Sequence, residues 1–276
     1  MKVRLWGTRG SLAAPGADTA RYGGNTSCVE VRGADTLLVL DAGTGVRALG
    51  KTLAGVRRIH ILLTHLHMDH IQGLGFFAPL FDPEVETHLW GPAVSACDLR
   101  SRLARYLSPP LFPVHLRDLP RLTLHDVPAG EFSVGEFRVT ADRVCHPGFT
   151  VGYRIAAGRA TVTYLPDHEP ALCASRFPST AEWTSGAALA RDVDLLLHDG
   201  QYDILEYPDH VGWGHSAIAH AVTFATLARA RHLVTIHHDP AHDDDAVDLL
   251  TASAVMAARP TFPVTPGAEG SVFDVE

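Results

Sequence analysis

The segment His65-Leu66-His67-Met68-Asp69-His70 places four potential metal donors within six residues. Imidazole nitrogen and carboxylate oxygen suit zinc, manganese or iron. The preceding run, Ile59–Thr64, is apolar and β-branched, the pattern of a short strand buried on both faces. Alternation along a strand would point His65, His67 and Asp69 the same way only while the chain stays extended. A loop beginning there can instead fan adjacent donors around two centres. The competing explanation is a polar turn that happens to be His-rich, and four donors so close together weigh against it. The chemistry such a cluster supports is metal-assisted hydrolysis.

His-x-His-x-Asp-His is the signature of the metallo-β-lactamase superfamily, and the chain resembles that superfamily over nearly its whole length. The later motifs expected of it can be found in order. Cys145-His146-Pro147-Gly148 looks like its third-histidine motif, Tyr164-Leu165-Pro166-Asp167 like its bridging-aspartate motif, and Thr235-Ile236-His237 like its last-histidine motif. The resemblance implies two divalent ions, zinc in the first instance, with manganese or iron as substitutes. One would be held by His65, His67, His146 and Asp167. The other would be held by Asp69, His70, Asp167 and His237, with a water or hydroxide between the ions. His237 and His238 are adjacent and either could serve; His237 is preferred because it immediately follows a strand. Asp41, in Asp41-Ala42-Gly43, reads as a buried supporting carboxylate and not as a ligand.

Two further motifs resemble the tRNase Z-like branch and its cyclic-nucleotide phosphodiesterase-like relatives. Leu197-His198-Asp199 ends a strand where that branch has His-Glu, and Gly214-His215-Ser216-Ala217 resembles its His-Ser-Thr loop, with Ala217 in place of Thr. The resemblance implies that His215 assists phosphodiester cleavage, with Asp69 orienting the nucleophile. His198 and Asp199 read as supporting residues. The Gly-rich segments Trp6–Ser11 and Arg21–Ser27 also resemble this branch, and Arg21 or Asn25 could hold a phosphate, against a purely structural role. The tRNA-gripping arm of true tRNase Z enzymes falls between the third histidine and the bridging aspartate. Here His146 and Asp167 are separated by one hairpin's length, which argues against tRNA as a partner and for a small-molecule substrate. Extra sequence at Glu169–Ala190 and Pro79–Pro120 could shape a pocket. The resulting expectation is a dinuclear phosphodiesterase for a small phosphodiester or cyclic nucleotide. A thioester or lactone hydrolase on the same fold, or a metal-binding sensory protein with little turnover, are the alternatives.

The elements that must position these residues are mainly strands. Val3–Trp6, Cys28–Arg32, Thr36–Asp41, Ile59–Thr64, Val85–Trp90, Leu122–Asp126, Phe132–Val134, Phe137–Val144, Val151–Ala156, Ala160–Leu165, Val193–Leu197, His232–Ile236 and Val272–Val275 read as strands. Helices are expected near Ile71–Ala78, over Ala93–Leu107, over Ala217–Arg231 with Ser216 as cap, and from Asp243–Asp245 to Ala258. Two packed sheets with helices outside are the simplest layered solution, an α/β (α+β) fold. This is the four-layer αββα sandwich that the resemblance implies, as one domain over 1–276.

The 276 residues carry a formal net charge of −8, which gives no overall attraction for nucleic acid. Cys28, Cys97, Cys145 and Cys173 form no Cys-x-x-Cys pair and read as thiols in a reducing cytosol. Met1–Arg9 has no apolar core of signal-peptide length, and no stretch approaches membrane-helix length. The expectation is a cytoplasmic protein without membrane contact. A homodimer is compatible with the sequence.

Overall fold

The computed structural model describes residues 1–172 and 176–276, so Cys173 lies outside the described residues. The first half of the chain builds a sheet from β1 (Lys2–Gly7), β2 (Cys28–Arg32), β3 (Leu37–Leu40), β4 (Arg58–Leu62), β5 (Glu86–Pro92) and β6 (Leu122–Val127). A second sheet takes β7 (Gly130–Val134), β8 (Phe137–Arg143), β9 (Val151–Ala157), β10 (Ala160–Leu165), β11 (Leu195–Asp199), β12 (Leu233–Ile236) and β13 (Val264–Pro266). The chain then returns with β14 (Val272–Asp274) to the free edge of β1. The sheets run β14-β1-β2-β3-β4-β5-β6 and β13-β12-β11-β10-β9-β8-β7. In each, one half is parallel: β3 to β6 in the first, β10 to β13 in the second.

Alternation along the strands makes the layers. Leu38 and Leu40 face a core shared by both sheets, whereas Leu37 and Val39 face outward, against Val46, Leu49 and Phe77. In the second sheet Leu195 and Leu197 face the same inter-sheet core, and Leu196 packs outward on Val222, Phe224 and Ala225. Strands covered on both faces have little room for polar residues, which is why Leu37–Leu40 and Leu233–Ile236 are apolar almost throughout. Each fully buried Leu or Ile contributes about 1.5–3 kcal/mol by transfer from water. The outer layers are α1 (Val46–Gly50), α2 (Met68–Ile71) and α3 (Leu99–Leu103) on one side, and α4 (Ala187–Ala190), α5 (Ile218–Ala228) and α6 (Asp244–Ala258) on the other. This is the αββα sandwich expected from the sequence. No helix among the described residues is long and apolar enough to cross a membrane.

Three helical expectations need correction. Ile71–Ala78 is not a continuous α-helix: α2 ends at Ile71 and short 3-10 turns follow over Gln72–Phe76 and Ala78–Phe81. Gly73, Gly75 and Pro79 break the regular ladder there. Ala93–Leu107 is helical only over Leu99–Leu103, because the Asp98 carboxylate caps the Ser101 amide at 2.8 Å and fixes a late start. Ser216 does not cap α5. Its hydroxyl donates to the His168 carbonyl at 2.6 Å, and Ala217 occupies the cap position. At α6 the expectation holds, with Asp243 accepting from the Ala246 amide at 2.7 Å.

Candidate metal centre and active site

The parallel strands of both sheets deliver their C-terminal ends to one edge of the sandwich, where ligands bind in sheets of this kind. Asp41 follows β3, His65–His70 follow β4, Asp167 follows β10, Asp199 ends β11 and His237 follows β12. His146 arrives from the turn between β8 and β9. Besides a group of Asp199, His215 and His237, two groups of donors form there: His65, His67, His146 and Asp167, and then Asp69, His70, Asp167 and His237. Asp167 belongs to both, with Oδ2 3.6 Å from His65 Nε2 and from His146 Nε2, and Oδ1 3.0 Å from His70 Nε2 and 3.4 Å from His237 Nε2. The structure thus brings together all seven residues expected to hold metal.

Four of the five histidines, and Asp69, are turned by a partner on the far side, as is usual for metal-ligating histidines. His70 Nδ1 sits 2.8 Å from Asp41, which also accepts from the Thr64 amide and the Tyr164 hydroxyl. Asp41 adopts φ 57°, a left-handed conformation uncommon outside glycine, to reach these partners. The supporting role expected of Asp41 matches this geometry. His65 Nδ1 meets Thr64 Oγ1 at 3.0 Å, His146 Nδ1 meets the Gly214 carbonyl at 3.0 Å, and His237 Nδ1 meets Gln201 Oε1 at 3.0 Å. The Ser11 amide donates to Asp69 Oδ2 at 2.8 Å. His238 is buried but faces away, with Nε2 2.9 Å from the Gly267 carbonyl, so of the adjacent pair only His237 reaches the cluster.

The electrostatics fit a cation site. Burial pushes His65 well below the ordinary histidine range, and His67 and His146 also downward, leaving neutral imidazoles of the metal-binding type. Burial alone would raise Asp69 and Asp167. His70 and His237 for the first, and His237, His70 and His65 for the second, instead hold both carboxyls well below the usual range. Burial works against protonated His237, yet Asp167 and Asp69 lift it to about 9. His65 Nε2 is buried without a hydrogen-bond partner, His70 Nε2 and Asp167 Oδ1 face each other at 3.0 Å without hydrogen-bond geometry, and all three converge on the same space. Polar atoms are rarely buried unpaired, and shared orphan donors of N and O type are what divalent cations would satisfy.

His215 lies alongside. Its Nδ1 is 2.7 Å from Asp199 Oδ2, its ring stacks on His237 at 4.9 Å, and it meets His146 edge-on at 5.0 Å. Asp199 also accepts from the amides of Gln201 and Ser216. His198 supports from beneath, with Nδ1 2.7 Å from the Asp199 carbonyl and Nε2 paired with His168. Sequence reasoning missed Glu169, Gln201, Ser11 and the backbone of Gly214. Buried Glu169 accepts from the amides of Gly212 and Gly214 and from Tyr207, and so anchors the loop that carries His215. Only the Gly-rich amino-terminal pattern hinted at the close approach of Gly10, where a Cβ would lie 2.4 Å from His237 Nδ1.

The phosphate-holding roles considered for Arg21 and Asn25 are not supported. Arg21 is engaged by Asp245 and Asp248, and Asn25 donates to Glu269 at 2.9 Å. Both tie the amino-terminal loop to the end of the chain. Of the two segments expected to shape a pocket, Pro79–Pro120 supplies lining to the large cavity beside His65 and His67. Glu169–Ala190 supplies none among the described residues.

Residues 36–238 match the family model described as "Beta-lactamase superfamily domain". The chain belongs to the metallo-β-lactamase superfamily. A ribonuclease Z of Metallosphaera sedula is 25% identical, with 96% of this chain and 95% of the relative covered. The metallo-beta-lactamase fold protein YhfI from Bacillus subtilis has the same fold at TM-score 0.70 and 21% identity, covering 99% of both chains. A diphosphatase from the PhnP family also superposes at TM-score 0.70, with 18% identity over 100% of this chain and 98% of that one. By this kinship the chain is a metal-dependent hydrolase, and its relatives match the tRNase Z-like and phosphodiesterase-like branch.

Proposed function

We propose that residues 1–276 form one catalytic unit, a cytoplasmic phosphodiesterase with two divalent ions, zinc in the first instance, acting on a small phosphodiester. The observation that carries this reading is His215. It is oriented by Asp199 and stacked against His237, beside two donor groups that share Asp167. One ion would be held by His65, His67, His146 and Asp167, the other by Asp69, His70, Asp167 and His237. Bound there, divalent cations supply Lewis acidity, which makes water more acidic and offsets charge on the phosphoryl oxygens.

The chain's own residues do the rest. Asp69, fixed by the Ser11 amide and His237, orients the attacking water and accepts its proton. As the water oxygen bonds to phosphorus and the ester P–O bond breaks, His215 Nε2 donates a proton to the departing alkoxide. Asp199 on Nδ1 stabilises the protonated ring before that transfer and restores its orientation afterwards. The single hairpin β9–β10 between His146 and Asp167 leaves no arm for gripping tRNA at that place, which favours a small substrate over the tRNA of the named relatives.

The test is turnover of bis(p-nitrophenyl) phosphate by zinc- and manganese-loaded protein, beside a thioester and a lactone. Asp69→Ala and His215→Ala should each lower kcat by roughly 10²–10⁴-fold on the diester. Turnover of the thioester or lactone alone, or diester turnover unchanged in both variants, would overturn the assignment.

A further inference from the structure

Next to His65 and His67 opens a cavity of about 620 Å³. That size accommodates a small-molecule ligand and not merely a phosphoryl group. Most of its wall is apolar or aromatic, with Leu66, Met68 and Ile71 from the α2 region, Tyr106 and Leu111 from the α3 region, and Phe149 from the loop after His146. Tyr106 is held in place by its hydroxyl, which donates to the Gln72 carbonyl at 2.7 Å.

Two arginines, Arg102 and Arg105, are also among the residues that line it. Among the described residues neither has a carboxylate at ion-pair distance. Other arginines near carboxylates are paired, as Arg21, Arg58, Arg229 and Arg231 are. Arg102 is half-buried; it donates from Nη2 to the Pro92 carbonyl at 2.6 Å, while its Nε is buried and unbonded. A positive group kept partly out of water with no counter-charge is costly unless something anionic completes it. Its attraction for an anion is also less screened than at an open surface. Guanidinium forks match phosphate oxygens in shape, and flat aromatic walls suit a ring.

We infer that Arg102 and Arg105 form a second phosphate-binding point, and that the preferred substrate is a phosphodiester whose one arm carries a flat ring and an additional phosphate. This rests on the phosphodiesterase reading above, and it separates such a substrate from a simple cyclic mononucleotide, which has no second phosphate to offer. The scissile diester would sit over the shared Asp167, and the ring and terminal phosphate would extend into the cavity past His67.

The test uses the full, zinc-loaded chain and two readouts. In equilibrium titrations, adenosine 3′,5′-bisphosphate should bind at least tenfold more tightly than AMP, and that ratio should fall towards one in Arg105→Gln and in Arg102→Gln. Arg105 is exposed, so its variant stays informative if loss of the Arg102–Pro92 contact impairs folding. In kinetics, KM for the p-nitrophenyl ester of thymidine 5′-phosphate should drop about tenfold when a 3′-phosphate is added, with kcat little changed. Equal affinity for bisphosphate and monophosphate, or a preference that survives in both variants, overturns the inference. A bisphosphate preference without any diester turnover would overturn the proposed reaction and leave the anion-binding role of the arginines standing.

Discussion

At the scale of single residues, the donors themselves are local in sequence, but what aims them is not. His146 points at Asp167 because the Gly214 carbonyl holds its Nδ1, and Gly214 can come that close only without a side chain. A Cβ there would lie 2.3 Å from His146 Nδ1, and the backbone is at φ +88°, a region L-residues avoid. The same residue donates to Glu169, so one position links the loop of His215 to a histidine of the donor cluster. Gly214→Ala should therefore lower diester kcat by tenfold or more and weaken zinc binding, while far-ultraviolet dichroism stays native. Unaltered metal affinity would show that the close approach does not position His146. The His65–His70 motif was legible because its donors lie so close together, and His146, Asp167 and His237 only through the order of motifs that the family resemblance supplied. Glu169 and Gln201 were not, since their contacts join segments far apart along the chain that only the fold brings together.

At the scale of elements, strands were read well because burial on both faces leaves an apolar signature that needs no partner to be recognised. The helices on the first sheet were read poorly. Their apolar periodicity is real, yet Asp98, the glycines and Pro79 decide where regular hydrogen bonding begins and ends. The parallel register also creates an arrangement invisible in sequence: His60 on β4 lies opposite His88 on β5, their rings stacked at 4.8 Å, and His88 Nδ1 is 2.9 Å from His125 Nε2 on β6. Burial, then neighbouring His88, Arg58 and His125, push His60 down to about 4, with Glu86 opposing. Its folded pKa lies below its unfolded value of about 6.5. The contribution is thus fully present above that value and is lost as pH falls towards 4. Allowing for partial solvent screening, the loss is on the order of 1 kcal/mol. With both proteins chelated, His60→Gln should lose about 2–4 °C less in thermal midpoint than the parent between pH 7.5 and 4.5. Parallel losses in the two proteins would place the acid sensitivity elsewhere.

At the scale of the whole molecule, the donor groups join the two sheets at their common edge. His65, His67, Asp69 and His70 hang from the first sheet, and His146, Asp167 and His237 from the second. The sheets otherwise meet through the apolar core around Leu38, Leu40, Tyr153, Tyr164 and Leu197. The buried carboxylates raise His70 well above the ordinary histidine range and His237 to about 9. Ions bound there would clamp one sheet to the other, so loading would act on global stability and not only on the site. Free zinc at about a thousand times its dissociation constant adds about 4 kcal/mol, which for a chain of this length is roughly a 10 °C rise in thermal midpoint. Chelation should reverse that rise. His67→Ala in the first sheet and His146→Ala in the second should each remove most of it, because a clamp fails when either side lets go. A midpoint indifferent to chelation, in protein shown to have carried two ions, would mean that the ions bind without bracing the sheets.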